Sequence, residues 1–366
     1  MPTAQLINEL QSCGVRLVDP TAGHESRRGG AGPSDHKAIT IDGMTVMVPV
    51  HTAPAFASPY IVDNPDASGR STISRDGLTL ASVSFPLRPR FYDRKTSDGI
   101  PYSKIAVLHG RDVLATTVLQ SCIRYQSRTK TCQFCAIGQS LAARRTIERK
   151  TPSQLAEVAK AAVELDGVKH MVMTTGTPPG RDRGAAILAE SASAVKAAVD
   201  LPVQGQCEPP DSDVWFERMR AAGIDALGMH LEAVTPDVRA KVMPGKAQVS
   251  LERYFEAFAA AVAVFGRGQV SSYILAGLGD PPEAILSTCR RLVGLGVYPF
   301  VVPFVPISGT PLESHPPPTP AFMHGILAPL ARMVREGGLQ ATSIKAGCGR
   351  CGACSALATY ERQEAH

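Results

Sequence analysis

From Asp112 onward, short apolar runs alternate with stretches in which apolar residues recur every three or four positions. The runs "VLATTVLQ" (113–120), "KHMVMTTG" (169–176), "LPVQGQC" (201–207), "DALGMHLE" (225–232), "QVSSYILAG" (269–277) and "YPFVVPFVP" (298–306) have the length of buried strands. Between and after them, residues 151–165, 184–200, 213–223, 251–266, 281–296 and 322–338 carry the helical period. The helix at 151 has Thr151 as N-cap, Pro152 at its first position and Gln154 closing a capping box. Asp280 and Glu283 predict the same arrangement for the helix at 281. Strict βα alternation means parallel strands with helices outside. Six such units form either a doubly wound sheet or an open, partial (β/α) barrel.

The first third reads differently. Residues 1–20 suit a short amphipathic helix and turn, and "SRRGGAGPSD" (26–35) a flexible loop. Residues 38–112 hold the short runs "AITI", "MTVMVPV", "LTLASVSF" and "KIAVLHG", punctuated by glycine and aspartate, which predicts a small β-rich region. The expected organisation is an N-terminal α+β region (1–111), a (β/α)6 core (112–320) and a C-terminal helix with a cysteine-rich tail (321–366).

Composition narrows the function classes. The chain has 366 residues, 44% hydrophobic and 5% aromatic, enough for a substantial core. A net charge of +5 is slight, and the basic residues do not gather beside stacking aromatics, so no nucleic-acid partner is expected. The basic run "ARRTIERK" (143–150) reads as solvated surface. The start lacks a basic segment followed by an apolar run, and no stretch has the length of a membrane span. Neither a signal peptide nor a membrane partner is expected. The cysteines cluster at metal-ligand spacing, which suits a reducing cytoplasm.

Candidate chemistry falls in one place. The loop after the first strand holds Cys122, Cys132 and Cys135; "TTG" (174–176) ends the second strand; Cys207 and Glu208 end the third. His230 and Glu232 end the fourth, "AGLGD" (276–280) the fifth, and "PISGTP" (306–311) the sixth. All six lie at strand C-termini, the face where barrels of this type carry active sites. Three thiols leave a zinc ion, or one iron of a cluster, with an open position.

These residues resemble the radical S-adenosylmethionine (SAM) superfamily over roughly residues 112–312, most clearly biotin synthase and its relatives. "CQFC", with Phe134 just before the last cysteine, matches the cluster motif; "TTG" stands where the family has Gly-Gly-Glu; "ILAGLGD" (274–280) and "PFVPISGTPL" (303–312) match its fifth and sixth strands. One departure is plain: the usual C-x3-C-x2-C is here C-x9-C-x2-C, and a loop insertion of this size costs little entropy. As a whole the chain most resembles the radical SAM proteins encoded in bacterial nitrilase-containing gene clusters associated with cyanide assimilation.

The resemblance implies a partial (β/α)6 TIM-like barrel. It implies a [4Fe–4S] cluster on Cys122, Cys132 and Cys135 with SAM on the fourth iron, and contacts to SAM from Phe134, Thr175, Gly176, Glu208, Glu232 and Gly277. The expected activity is one-electron cleavage of SAM to a 5′-deoxyadenosyl radical that takes hydrogen from a small-molecule substrate. The electron would come from a donor such as flavodoxin or ferredoxin.

Other readings of the residues stand beside these. Cys132 and Cys135 suit a structural zinc knuckle, or a zinc-dependent barrel lyase or hydrolase, and a non-catalytic Fe–S scaffold would use the same thiols. Thr175 and Gly176 suit a tight turn, Glu208 and Glu232 ordinary ion pairs, and Gly277 and Gly279 close packing. His230 suits either a substrate contact or a satisfied core histidine, while Cys13, Cys207 and Cys289 read as structural. The tail "AGCGRCGACSAL" (346–357) brings Cys348, Cys351 and Cys354 together at metal-binding spacing, with an auxiliary Fe–S cluster favoured over zinc and no fourth ligand visible. Gly337–Gly338 would free this tail to fold over the barrel mouth.

Overall fold

A computed structural model describes residues 3–19, 35–127 and 129–363. The loop expected at 26–35 lies outside these residues except for Asp35.

In the N-terminal region, helix α1 (Ala4–Cys13) is capped by Thr3, whose hydroxyl accepts from Leu6 N–H. The strands are β1 (Arg16–Leu17), β2 (His36–Ile41), β3 (Met44–Pro49), β4 (Tyr60–Val62), β5 (Arg70–Arg75) and β6 (Leu78–Ser84), with a short helix α2 (Ala53–Phe56) after β3. They form one sheet in the order β1-β4-β5-β6-β2-β3. Hairpins β2–β3 and β5–β6 each turn on an Asp-Gly pair, Asp42-Gly43 and Asp76-Gly77, in which all four residues have positive φ. Such turns match the right-handed twist of the strands they join.

The run "KIAVLHG" behaves differently from the expectation. It splits into the end of helix α3 (Tyr102–Ile105) and strand β7 (Val107–His109), which pairs antiparallel with β8 (Val113–Thr117). β7 thereby belongs to the barrel sheet, and the 111/112 boundary cuts through a hairpin.

The core continues with α4 (Ile137–Ala142), α5 (Pro152–Asp166), β9 (His170–Thr174), α6 (Ala185–Ala198), β10 (Val203–Gln206), α7 (Val214–Ala221) and β11 (Ala226–Gly228). Then come α8 (Pro236–Val242), α9 (Leu251–Phe265), β12 (Val270–Ala276), α10 (Pro282–Leu295), β13 (Val297–Pro303) and α11 (Pro320–Glu336). β8 to β13 are all parallel and adjacent in chain order, with β7 on the β8 edge. A doubly wound sheet needs a reversal of strand order; this sheet has none and is a partial (β/α)6 TIM-like barrel. β8 and β13 are buried along their whole length, as strands covered on both faces must be. Among the described residues no helix is long and apolar enough to cross a membrane.

Local signals account for some element ends and not others. Thr151 and Gln154 form the expected reciprocal capping box on α5. Asp280 does not cap α10, whose N-cap is Pro281 with no side-chain bond. Its carboxylate instead accepts from Val234 N–H (2.8 Å) and Thr235 N–H (2.9 Å), fixing the entry to α8. Asp280 is 3% exposed, so Asp280→Ala would strand two N–H groups in the interior. We expect a loss of about 1–3 kcal/mol in stability, read by thermal unfolding, with Asp280→Asn recovering part of it. The fourth strand is also shorter than expected: it ends at Gly228, and Glu232 rejoins the sheet only as a single bridge to Ile274.

Candidate metal and cofactor site

The three cysteines Cys122, Cys132 and Cys135 lie in the loop between β8 and α4, beyond the strand C-termini, and all are free thiols. The described residues between Cys122 and Cys132 fold back on themselves. Thr131 N–H and Lys130 N–H both donate to the Ser127 carbonyl (3.0 and 2.9 Å), and Thr131 Oγ1 donates to it at 2.7 Å. This closes the insertion into a turn and returns the chain toward Cys122. The Cys122 sulfur raises the cost of charging Cys135, and Cys135 that of charging Cys132. Cys122 is thus within electrostatic reach of Cys135, and Cys135 of Cys132.

The cysteine loop is pinned from four sides. Ile123 N–H donates to Thr177 O (3.0 Å), Gly176 N–H to Leu119 O (2.8 Å), Gln133 N–H to Val242 O (2.7 Å) and Leu312 N–H to Gln133 O (3.2 Å). A side chain at Gly176 would collide with the Ser121 carbonyl, so glycine here lets the cysteine loop dock on the end of β9. A further anchor is an ion pair. Arg124 donates through Nε and Nη2 to both oxygens of Glu208 (2.7 and 2.6 Å), both side chains being 7% exposed, and through Nη1 to the Gly245 carbonyl. Thr177 Oγ1 adds a third donor to Glu208 at 2.8 Å. Burial works against the Glu208 charge, but Arg124, Lys246 and Thr177 outweigh it and hold the carboxyl below the usual range. Glu208 is thus occupied in holding the loop.

Glu232 has a different setting. It lies at the rim of a cavity of about 290 Å³ that runs down inside the barrel. Its backbone has φ of 62°, an uncommon conformation for a residue with a side chain, which is often found where geometry serves a site. Its only ion-pair partner among the described residues is Lys246, with Nζ at 2.8 Å from Oε2. Burial opposes the Lys246 charge, and the facing Glu232 carboxylate overcomes it, keeping the ammonium above the ordinary lysine range. Burial also drives the thiols up: Cys132 well above the usual value and Cys135 to about 12. Thiols in that state become thiolates only with a positive centre among them, which is what an iron–sulfur cluster supplies. Three free thiols in one loop are the donor chemistry that a cluster with one open iron takes.

Phe134, Glu232 and His230 line the cavity together. His230 is held neutral, its pKa pushed to about 3 by burial and then by Lys246, and its Nδ1 accepts from Tyr273 N–H at 3.2 Å. Its remaining proton is then on Nε2. Of the "TTG" turn, Thr174 faces the cavity; Thr175 instead bonds the Gly176 carbonyl (2.8 Å) and packs on Gly184. Gly277, at φ of 105°, lies beneath Pro318, and its carbonyl is 2.9 Å from His315 Nε2. Cys207 and Cys289 are buried in the main core.

The tail is the largest correction. It does not cover the barrel mouth; it closes the opposite end. Gly347 N–H donates to His170 Nδ1 (3.1 Å), Cys348 N–H to Gln204 Oε1 (3.2 Å) and Lys345 N–H to Gln269 Oε1 (2.9 Å). His170, Gln204 and Gln269 all stand at the N-terminal ends of their strands. Helix α12 (Cys348–Cys351) enters the barrel from below, α13 (Leu357–Gln363) follows, and Ala353 O accepts from Met47 N–H (2.7 Å) and Gln11 Nε2 (2.9 Å) of the N-terminal region. Cys348 and Cys354 form the floor of the same cavity that Glu232 and Phe134 close at the top. Among the described residues, no three Cys, His, Asp or Glu side chains are grouped as ligands to one metal ion.

Sequence reasoning overlooked Lys246, Thr177, Tyr273 and Gln206. None belongs to a motif, and each matters through a partner distant in the chain. Lys246, a buried ammonium in a region with no strand or long helix, is marked only by its ion pair with Glu232.

The model of the radical SAM superfamily matches residues 129–292 of the chain, including Cys132 and Cys135 but beginning after Cys122. Bacteriochlorophyllide c C-7(1)-hydroxylase of Chlorobaculum limnaeum is 27% identical over 243 residues, 61% of this chain and 60% of that protein, so the chain spans about 60% of that relative's length. Among solved structures, methylornithine synthase (PylB) aligns over 66% of this chain and 68% of its own at 19% identity and a TM-score of 0.48. The FeFe-hydrogenase maturase HydG aligns over 61% and 49% at 16% identity and a TM-score of 0.46.

Proposed function

We propose, from the radical SAM domain over residues 129–292, that the chain is an enzyme that cleaves SAM reductively at a [4Fe–4S] cluster and directs the resulting radical onto a small molecule in the barrel. The observation that carries this reading is that Cys122, Cys132 and Cys135 share one loop beyond the strand C-termini, with Phe134 of that loop lining a cavity whose walls are mainly apolar. When bound, the cluster and SAM supply one-electron scission of the sulfonium C–S bond and a 5′-deoxyadenosyl radical.

The protein's own residues do the rest. The three thiolates hold three irons and leave the fourth for SAM. Arg124, Glu208 and Thr177 fix the loop that carries them, so Glu208 acts on SAM through the loop. Glu232, which lines the cavity and among the described residues is ion-paired with Lys246 alone, takes the SAM ammonium in this reading. Gly176, the Thr175 backbone and Gly277 allow close approach, while Phe134, Leu275 and Phe304 keep water from the cavity. His230, neutral and fixed as a donor through Nε2, orients the substrate without exchanging protons near neutral pH. Cys348, Cys351 and Cys354 hold a second Fe–S centre at the cavity floor. The reductant is a cytoplasmic carrier of flavodoxin or ferredoxin type.

The test is anaerobic reconstitution with iron and sulfide, dithionite reduction with SAM, and mass spectrometry for 5′-deoxyadenosine and methionine. Their absence from protein with a full first cluster would overturn the proposal. In the same preparation Glu232→Gln should weaken SAM binding by roughly ten- to a hundredfold, the loss of about 1.5–3 kcal/mol from one charged hydrogen bond. Unchanged SAM affinity by equilibrium dialysis would give Glu232 another role.

A further inference from the structure

The tail cysteines face a fourth donor that the sequence did not suggest. His109 ends β7 and lines the cavity floor, and its Nε2 lies 3.8 Å from the Cys354 sulfur. On a tetrahedral centre, bonds of about 2.3 Å to sulfur and 2.0–2.1 Å to nitrogen place the two ligand atoms roughly 3.6 Å apart. The observed 3.8 Å, the length of a sulfur–imidazole hydrogen bond, is within about 0.2 Å of that separation, so both atoms can reach one metal with little movement. A [4Fe–4S] cluster gives each iron a single protein ligand, whereas a [2Fe–2S] cluster gives each iron two. Cys348 and Cys351, one helical turn apart on α12 and within each other's electrostatic influence, are the natural second pair.

The surroundings are built for thiolates. Gln206 Nε2–H donates to the Cys348 sulfur at 3.3 Å, the Tyr273 hydroxyl, within reach of both Cys348 and Cys354, is left to donate its one proton to Cys354, and Ala353 N–H donates to Cys351. All three sulfurs thus receive a donor, as cluster thiolates commonly do. Gly347 has no side chain because one would overlap the Gln204 amide, which receives the Cys348 N–H.

We infer that Cys348, Cys351, Cys354 and His109 form a three-cysteine, one-histidine [2Fe–2S] site at the cavity floor, with Cys354 and His109 on one iron and Cys348 and Cys351 on the other. The inference rests on the proposed reading of the tail as an Fe–S site and adds its nuclearity and fourth ligand. A substrate in the cavity lies between this site and the cysteine loop, and the imidazole-bound iron is the one supplied by the N-terminal side of the barrel.

The experiment uses the full chain with Cys132→Ser and Cys135→Ser, which removes the first cluster. After anaerobic reconstitution we expect about two irons and two sulfides per chain. In the dithionite-reduced state, pulsed EPR should show strong coupling to a directly bound imidazole nitrogen, altered by ¹⁵N-histidine labelling. His109→Cys should keep the iron and lose that coupling. Should the double serine variant prove insoluble, His109→Cys is made in the otherwise native chain and read as a difference spectrum. Four irons at the tail, no nitrogen coupling, or coupling that persists in His109→Cys would each overturn this inference while leaving a tail Fe–S centre. A tail that takes zinc alone, or no metal, would overturn the underlying reading as well.

Discussion

Cys132→Ala, Cys135→Ala and Cys122→Ala should each yield no 5′-deoxyadenosine above background when the reconstituted protein is reduced with SAM. The loss should exceed the roughly 10–100-fold that changes outside the ligand set produce, because each variant removes a ligand outright. Cys122 makes the decisive case. It lies ahead of the segment that matches the superfamily model, and its spacing from Cys132 is six residues longer than the usual motif. The insertion is nevertheless closed on Ser127 O, and Ile123, next to Cys122, is tied to Thr177 O at 3.0 Å. Those bonds return the chain toward Cys122, which lies within electrostatic reach of Cys135. Iron content, the visible spectrum and product formation should fall together in all three variants. A Cys122→Ala protein with a full cluster and undiminished cleavage would take the third ligand away from Cys122.

The alternation of strands and helices was legible because its causes are local. Parallel strands buried on both faces must be short apolar runs, and Thr-Pro starts with a glutamine two residues later leave little choice about where α5 begins. For the same reason the site face could be read: polar and glycine residues that follow buried runs must fall at strand ends. What could not be read depends on partners far along the chain. Asp280 has every local mark of an N-cap, but the N–H groups at 234–235 compete for it and win. "MHLE" continues the alternation of a strand, but the left-handed backbone at Glu232 ends it and turns that carboxylate toward Lys246. The two glycines at 337–338 permit any direction for the tail. Its path under the barrel is set by His170, Gln204 and Gln269, more than 70 residues earlier in each case. Glu208 and Glu232 look alike in sequence, at the ends of neighbouring strands. Only the structure separates one saturated by Arg124 and Thr177 from one facing the cavity.

Arg124→Ala should destabilise the protein by about 3–5 kcal/mol, the cost of removing one member of a buried ion pair and leaving the other charge uncompensated. Glu208 would keep only the Thr177 hydroxyl, and the Gly245 carbonyl would lose its donor. Glu208→Leu alone should cost a similar amount, by stranding the guanidinium. Arg124→Met combined with Glu208→Leu should lose less than either single change, because a well-packed apolar pair leaves no buried charge. The pH dependence follows from the Glu208 carboxyl being held below its usual range. Its contribution is fully present above the unfolded-state value of about 4.3 and is lost as pH falls through the lower folded-state value. Thermal unfolding of the parent and of Arg124→Ala should therefore differ most near neutral pH and converge in acid. A constant difference from neutral pH into strong acid would mean that the pair's charge contributes nothing. Because the pair anchors the turn between Cys122 and Cys132, Arg124→Ala protein that remains folded should also bind the first cluster less completely, read as iron per chain at equal protein concentration. Full iron loading in a folded Arg124→Ala protein would show that the loop holds its thiols together without the ion pair.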